Sequence, residues 1–393
     1  MNNFIPLSIP NFSGNEKKYV DEALEQGWVS TGGAYITLLE EKLQEFLGVE
    51  SVTACQSGTA GIHLSLIECG VEPGDMVIVP TLTFIAAVNP VRYQFAEPIF
   101  MDCDTSLCMD PIKLRRFCEN ECEVKDMYLI HKKSGRKIKA LIVVHVFGNL
   151  ADMDEIMDIA SEFKLKVIED STEALGTYYT KGKYKGKYAG TIGDFGVYSF
   201  NGNKIITTGG GGAVTSNSTE RVAHMKYIAT QAKDDSHFYI HNEIGYNYRM
   251  TNLQAALGVA QMEELADFID NKHKNYDFYV EELKDFEYGS LLSFREGTRS
   301  NQWFYSLELE MEKINGTLED IIKALQKEGI QTRAIWGLIH KQKPYRDKET
   351  YYINQATYYS QCILNLPCST QITKSEMQYV VKKLKETLEA MKK

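Results

Sequence analysis

"ALIVVHVFGNLADMDEIMDIASEFKLKVIEDSTEALG" (Ala140–Gly176) holds two short apolar runs with an amphipathic segment between them. Ala140–Gly148 and Lys166–Asp170 are too short and too uniformly apolar for half-exposed strands. Asp152–Phe163 has helical periodicity. Apolar runs of four to eight residues alternating with helices indicate a mainly parallel sheet covered on both faces. The same rhythm extends outward in both directions. It includes "MVIVP" (Met76–Pro80), "PIFMD" (Pro98–Asp102) and "FGVYSF" (Phe195–Phe200), with helix-like segments at "EKKYVDEALEQG" and Gly58–Cys69. The expected fold class is therefore α/β.

The rhythm breaks at "CENECEVKDMYLIHKKSGRKIKA" (Cys118–Ala140), a polar stretch expected to form a surface hairpin. It ends near "MTNLQAALGVAQMEEL", which opens a long helix with Thr251 and Gln254 spaced as a capping box. Beyond this the pattern is mixed. "TLEDIIKALQKEG" is a helix stopped by Gly329, and "GIQTRAIW" is a strand. A last helix is capped by Thr373 and Glu376, with Ile372 and Met377 placed for a hydrophobic staple. The expected organisation is a large domain over residues 13–265 and a smaller α+β domain over 266–393, with residues 1–12 packing on the latter.

The bulk chemistry narrows the function. The 393 residues carry a net charge of −10, with 44% hydrophobic and 24% charged residues. No basic patch interleaved with aromatics suggests nucleic acid. No apolar run approaches the ~18 residues of a membrane span, and no signal peptide is expected. The eight cysteines are scattered, without CxxC spacing or a matching histidine pair. That excludes a spacing-encoded metal site and fits a reduced, cytoplasmic protein.

Three segments carry candidate chemistry. In "QSGTAGIHLSL" (Gln56–Leu66), Ser57, Gly58 and Thr59 precede an apolar helix. A helix start with unpaired N–H groups binds phosphate, although Ser or Thr also serves as a plain cap. In "KVIEDSTEALG" (Lys166–Gly176), an apolar strand runs into Glu169, Asp170 and then Glu173. Ligands of parallel sheets bind at strand carboxyl ends, and carboxylates there need a cationic partner. A helix cap is the alternative. In "SFNGNKIITTGGGG" (Ser199–Gly212), Lys204 precedes four glycines. A P-loop lysine follows its glycines, so this is not one, and no GxGxxG unit is present. Most lysines are simply solvated. Together, however, a helix start, a strand-end aspartate and a loop lysine are the three anchors of pyridoxal phosphate. The lysine forms a Schiff base, and the aspartate keeps the pyridine nitrogen protonated. Phe84, in "TLTFIAAVNP", offers a face for stacking.

With these motifs and "PTLTF", "VHVFGNLADMDEI", "TTGGGGAV" and "IGYNYRMTNLQAALG" in order, the chain resembles the DegT/DnrJ/EryC1/StrS nucleotide-sugar aminotransferases nearly end to end. Within that family it is most similar to the legionaminic-acid branch. The resemblance implies the fold-type-I architecture of aspartate aminotransferase. It implies Lys204 as the Schiff-base lysine and Asp170 as partner of the pyridine nitrogen. Phe84 becomes the stacking ring, and Gly58, Thr59 and Ser199 the phosphate binders. Asn247 would reach the phosphate from a neighbouring subunit, which implies a homodimer with shared sites. His340, Asn203 and Tyr246 fall at substrate-side positions. Glu173 stands where many relatives carry Gln beside the phenolic oxygen, and Gly210 where many carry Glu. The implied reaction moves an amino group from glutamate to a UDP-linked 4-keto-6-deoxy sugar. Amination at C3 of a dTDP sugar and a non-catalytic sensor on the same scaffold are the alternatives. A dehydratase of the family has histidine where Lys204 stands.

Overall fold

The computed structural model describes residues 4–235 and 237–393. Seven strands form the body of the main sheet. They are β1 (Ser51–Cys55), β2 (Met76–Pro80), β3 (Glu97–Met101), β4 (Lys137–Val144), β5 (Lys166–Asp170), β6 (Phe195–Ser199) and β7 (Gly212–Ser216). Their spatial order is β1-β7-β6-β5-β4-β2-β3, and Glu349–Tyr351 adds in parallel to β3. All run parallel except β7, which is antiparallel to both neighbours. Val77–Val79 and Ala140–Val143 are fully buried, as two-sided coverage requires. The architecture is α/β with a mainly parallel central sheet.

The opening stretch folds as β4, then a short 3₁₀ turn at Val146–Gly148, then helix Met153–Glu162 capped by Asp152, then β5. The apolar run at Ala140–Gly148 is thus longer than its strand. β4 ends at Val144, in register with Asp170 of β5. The polar excursion is a hairpin, Cys122–Lys125 paired with Tyr128–His131, which continues onto β4.

The long helix runs from Asn252 to Glu282, with the Thr251–Gln254 capping box formed. The boundary expected at 265/266 lies inside this helix. A four-stranded antiparallel sheet follows, formed by β8 (Gly289–Leu291), β9 (Tyr305–Leu309), β10 (Arg333–Ala334) and β11 (Ile363–Leu366) in the order β8-β9-β11-β10. "GIQTRAIW" contributes only Arg333–Ala334 to that sheet, because Ile330 is paired instead with Ile5. Leu7 likewise accepts the Cys368 N–H. Residues 5–7 are therefore tied to this smaller layer. Residues 1–3 lie outside the described chain.

The reversal of β7 fixes the site. A parallel β6–β7 pair needs a long crossover. The antiparallel pair instead closes over residues 200–211, with Ser199 opposite Gly212 at its base. Lys204 is therefore held at the carboxyl edge of the sheet, beside the ends of β1 and β5. The packing beneath is tight. A Cβ on Gly196 of β6 would lie 1.9 Å from the Gly190 carbonyl oxygen. Gly196→Ala is expected to destabilise the fold by about 1–3 kcal/mol, as other overpacked cores are. Thermal unfolding checks this, and an unchanged Tm would contradict the packing described.

Candidate active site

Helix Gly58–Glu68 begins at the edge, directly after β1. Ser57 Oγ accepts the Ala60 N–H at 3.1 Å. The capping role is therefore real, yet it satisfies only one donor. Among the described residues no acceptor takes the Gly58 or Thr59 N–H, and both residues line a cavity of about 590 Å³. A Cβ on Gly58 would meet Thr172 Cγ2 at 2.9 Å and Ser199 Cβ at 3.1 Å. Gly58 is glycine because the helix start abuts the ends of β5 and β6.

The three carboxylates of the β5 segment part company. Glu169 is fully buried and saturated. Its Oε2 accepts from His145 Nε2 at 2.9 Å and the Gly190 N–H at 2.9 Å, and its Oε1 from the Ile192 and Gly193 N–H groups. It fastens the 190–193 loop and does not line the cavity. Alternation along the strand sends Asp170 to the opposite face. Asp170 lines the cavity and accepts the Thr172 N–H at 3.1 Å. Burial pushes its pKa above the usual carboxylate range, against the Thr172 bonds and the Lys204 charge. Burial also raises Glu173, against the pull of Lys204 and the Phe147 N–H.

Lys204 joins this group. Its Nζ is 3.3 Å from Glu173 Oε1 and 4.2 Å from the Trp303 ring centroid. Glu173 Oε2 accepts the Phe147 N–H at 2.9 Å. That donor is aimed by a left-handed residue, Phe147 at φ 56°, followed by Gly148 at φ 90°. A Cβ on Gly148 would sit 2.0 Å from Asn301 Oδ1. Asn301 in turn donates to the Glu173 and Leu175 carbonyls. The Glu173 position is thus over-determined, as strained backbone at a site requires.

Of the residues singled out from sequence, Gly58, Thr59, Phe84 and Ser199 line this cavity together with Asp170, Glu173, Asn203 and Lys204. Phe84 is 57% exposed at the wall. Asn203 Oδ1 is buried without a partner among the described residues. Asn247, Tyr246 and His340 do not line the cavity. Asn247 bridges Thr230 in its own chain. Tyr246 stacks on Tyr248 with ring centroids 5.0 Å apart. His340 Nδ1 lies 2.6 Å from Thr81 Oγ1, three residues before Phe84. The four glycines divide as well. Gly209 and Gly211 have φ of 76° and 150°, and Gly212 packs against the Ser57 backbone. At Gly210 a Cβ would meet nothing closer than Gln254 Nε2 at 3.6 Å, so glycine is not demanded there. Sequence reasoning missed the far wall, which is Trp303, Phe304, Arg333, Trp336 and Asn365. Its only signal was the aromatic pair in "SNQWFYSLEL", which reads equally as core.

The sequence profile of the DegT/DnrJ/EryC1/StrS aminotransferase family matches residues 10–385. The chain belongs to this family. It is 34% identical to GDP-perosamine synthase of Caulobacter vibrioides over 98% of both chains. It is 27% identical to UDP-4-amino-4,6-dideoxy-N-acetyl-beta-L-altrosamine transaminase of Campylobacter jejuni over 93% of both. A crystal structure of a DegT DnrJ EryC1 StrS aminotransferase from Brucella abortus superposes with a TM-score of 0.85 at 26% identity, covering 95% of each chain. The protein is thus a pyridoxal phosphate-dependent sugar aminotransferase of fold type I. Its cavity suits that cofactor. A helix start with two amides that lack an acceptor among the described residues, a buried carboxyl and an amine line one cavity.

Because the folded Asp170 carboxyl is raised, the native state holds a proton that the unfolded chain releases at about pH 4. Stability contributed here falls as pH rises from that value through the folded one. Asp170→Asn is expected to abolish turnover yet raise the Tm of cofactor-free protein near neutral pH by about 1–3 °C. Differential scanning calorimetry across pH checks this, and a Tm lowered at every pH would contradict it.

Proposed function

We propose that this aminotransferase moves the amino group of glutamate to the C4 ketone of a UDP-linked 4-keto-6-deoxy-N-acetylhexosamine, for a surface glycan or nonulosonic acid. The observation that carries the chemistry is the meeting of Lys204, Asp170 and Glu173 with the open start of helix Gly58–Glu68 in one cavity. The choice of sugar is supported by the relative named for a UDP-4-amino-4,6-dideoxy sugar. A GDP-linked sugar is the second reading, supported by the 34% identity to GDP-perosamine synthase.

When bound, pyridoxal phosphate supplies an exchangeable aldehyde and an electron-withdrawing ring. The protein's residues do the rest. The Gly58 and Thr59 amides and the Ser199 hydroxyl hold a phosphate at the helix start, where the helix dipole favours negative charge. Phe84 would offer a face for the ring to stack on. Asp170 would keep the ring nitrogen protonated, and Glu173 would sit on the side of the ring's phenolic oxygen. Lys204 Nζ is the point of covalent attachment. When free, it takes the proton that the amino donor's α-carbon loses and returns it to the product. The aromatic wall of Phe147, Phe304 and Trp336 excludes water. His340, Asn203 and Tyr246 are assigned to the sugar side.

Asn247 is assigned to a neighbouring subunit's phosphate site in a homodimer. Its flanking segment supports this, because Phe238, Tyr239 and Ile244 are 79%, 69% and 86% exposed. The eight cysteines are buried and unpaired, and no helix among the described residues is long and apolar enough to cross a membrane. Action in the cytoplasm follows as part of the same proposal.

Lys204→Ala and Lys204→Arg are expected to lose the absorbance near ~420 nm and all steady-state turnover. A variant that keeps both would overturn the assignment of Lys204. Mass spectrometry of products from glutamate with UDP-, GDP- and dTDP-linked keto sugars tests the substrate. Amination of only the dTDP sugar, or at C3, would refute the UDP 4-keto reading.

A further inference from the structure

Trp303 is 2% exposed, and all its polar groups are engaged. Its indole Nε1–H donates to the Asn203 carbonyl at 2.8 Å, on the residue just before Lys204. Its backbone N–H donates to Asn301 Oδ1 at 3.1 Å. Its carbonyl accepts from Lys272 Nζ at 2.7 Å, and that lysine is buried on the long helix. Phe304 lies flat on one face, with centroids 3.8 Å apart and planes 7° apart. The other face is therefore the one available to Lys204 Nζ, 4.2 Å from the centroid.

A tryptophan that merely filled space would need neither the bond to the lysine loop nor an open face toward an ammonium. The two features together make a rigid coupling. The indole N–H ties ring and loop, so Lys204 and the surface under it move as one. Asn301 links the Trp303 backbone N–H to the backbone carbonyl of Glu173, whose carboxyl is the other partner of the ammonium. An indole face is the strongest aromatic partner for a cation, more so when desolvated.

We infer that Trp303 is a positioning residue whose free indole face seats the Lys204 ammonium. It fixes where Nζ rests whenever that nitrogen carries no covalent bond. The seat stabilises the charged form and limits the lysine's rotamers, so the freed amine stays over the cavity instead of swinging out of it. The inference rests on Lys204 being the reactive lysine of the proposed function.

The test uses cofactor-free protein with tryptophan carrying zero, one, two or three fluorines placed at position 303 alone. Fluorine drains the negative potential of the face while nearly preserving the ring's shape. Trace acetylation of Lys204 at one fixed pH is read by peptide mass spectrometry against exposed lysines of the same sample. The expected result is a stepwise rise, reaching about fivefold to tenfold at three fluorines. Trp303→Phe, which keeps a face but loses the N–H, should fall between wild type and Trp303→Leu. In the loaded enzyme the same series should lower kcat with KM unchanged. A flat acetylation series overturns the seat, since a purely structural ring would be indifferent to fluorination. Borohydride reduction of loaded wild-type protein, followed by mapping of the labelled peptide, separately tests Lys204. A label on another lysine would refute the reactive role and leave the measured seat standing.

Discussion

A mostly buried lysine beside two buried carboxyls is the constraint around which this structure is arranged. Lys204 is 13% exposed and cannot rely on water alone, so its charge needs compensation from the walls. Glu173 and the Trp303 face provide it, and each is held from behind. Phe147 adopts a left-handed backbone to donate to Glu173, Gly148 leaves room for Asn301, and Asn301 braces both Glu173 and Trp303. These elements come from β4, β5 and the smaller layer. The site is therefore a product of how the layers meet rather than of any one loop.

Topology supplies the other half. With β7 reversed between β1 and β6, the lysine loop is pinned at Ser199 and Gly212, against the start of helix Gly58–Glu68. Gly212 packs against the Ser57 and Gly58 backbone and Gly58 against the Thr172 and Ser199 side chains, so a Cβ at either would push the helix start away from the lysine loop. A parallel arrangement would carry the chain away from the edge and leave Lys204 without neighbours.

Much of this was legible in sequence because it follows from local chemistry. The apolar runs of β2, β4 and β5 declared a covered parallel sheet, and Thr251 with Gln254 announced the long helix. Strand-end position also marked Asp170. Other parts were not legible, for physical reasons. The saturation of Glu169 depends on backbone donors 21 to 24 residues away. Adjacent carboxylates on one strand look alike until the sheet face is known. Trp303 comes from the smaller layer and is indistinguishable from core by pattern. "GIQTRAIW" has strand composition throughout, yet Ile330 answers to Ile5 near the other end of the chain. A nonlocal competitor of that kind leaves no trace in periodicity.

Glu173 gives the site a charge balance that an amide would not. Asp170 and Glu173 are both buried in a cavity that Lys204 and Arg333 also line, and burial makes each carboxyl costly to ionise. The Asp170 charge raises Glu173, while Lys204 lowers both. Burial therefore pushes both carboxyls toward the neutral form, and Lys204 pulls both back toward the charged one. In the proposed function, engagement of Lys204 would change the charge that pulls both carboxyls down. An amide at position 173 would keep an acceptor for Lys204 and remove the negative charge that faces it. In this chain the acid beside the lysine is thus held in place by the same strained turn that donates to it.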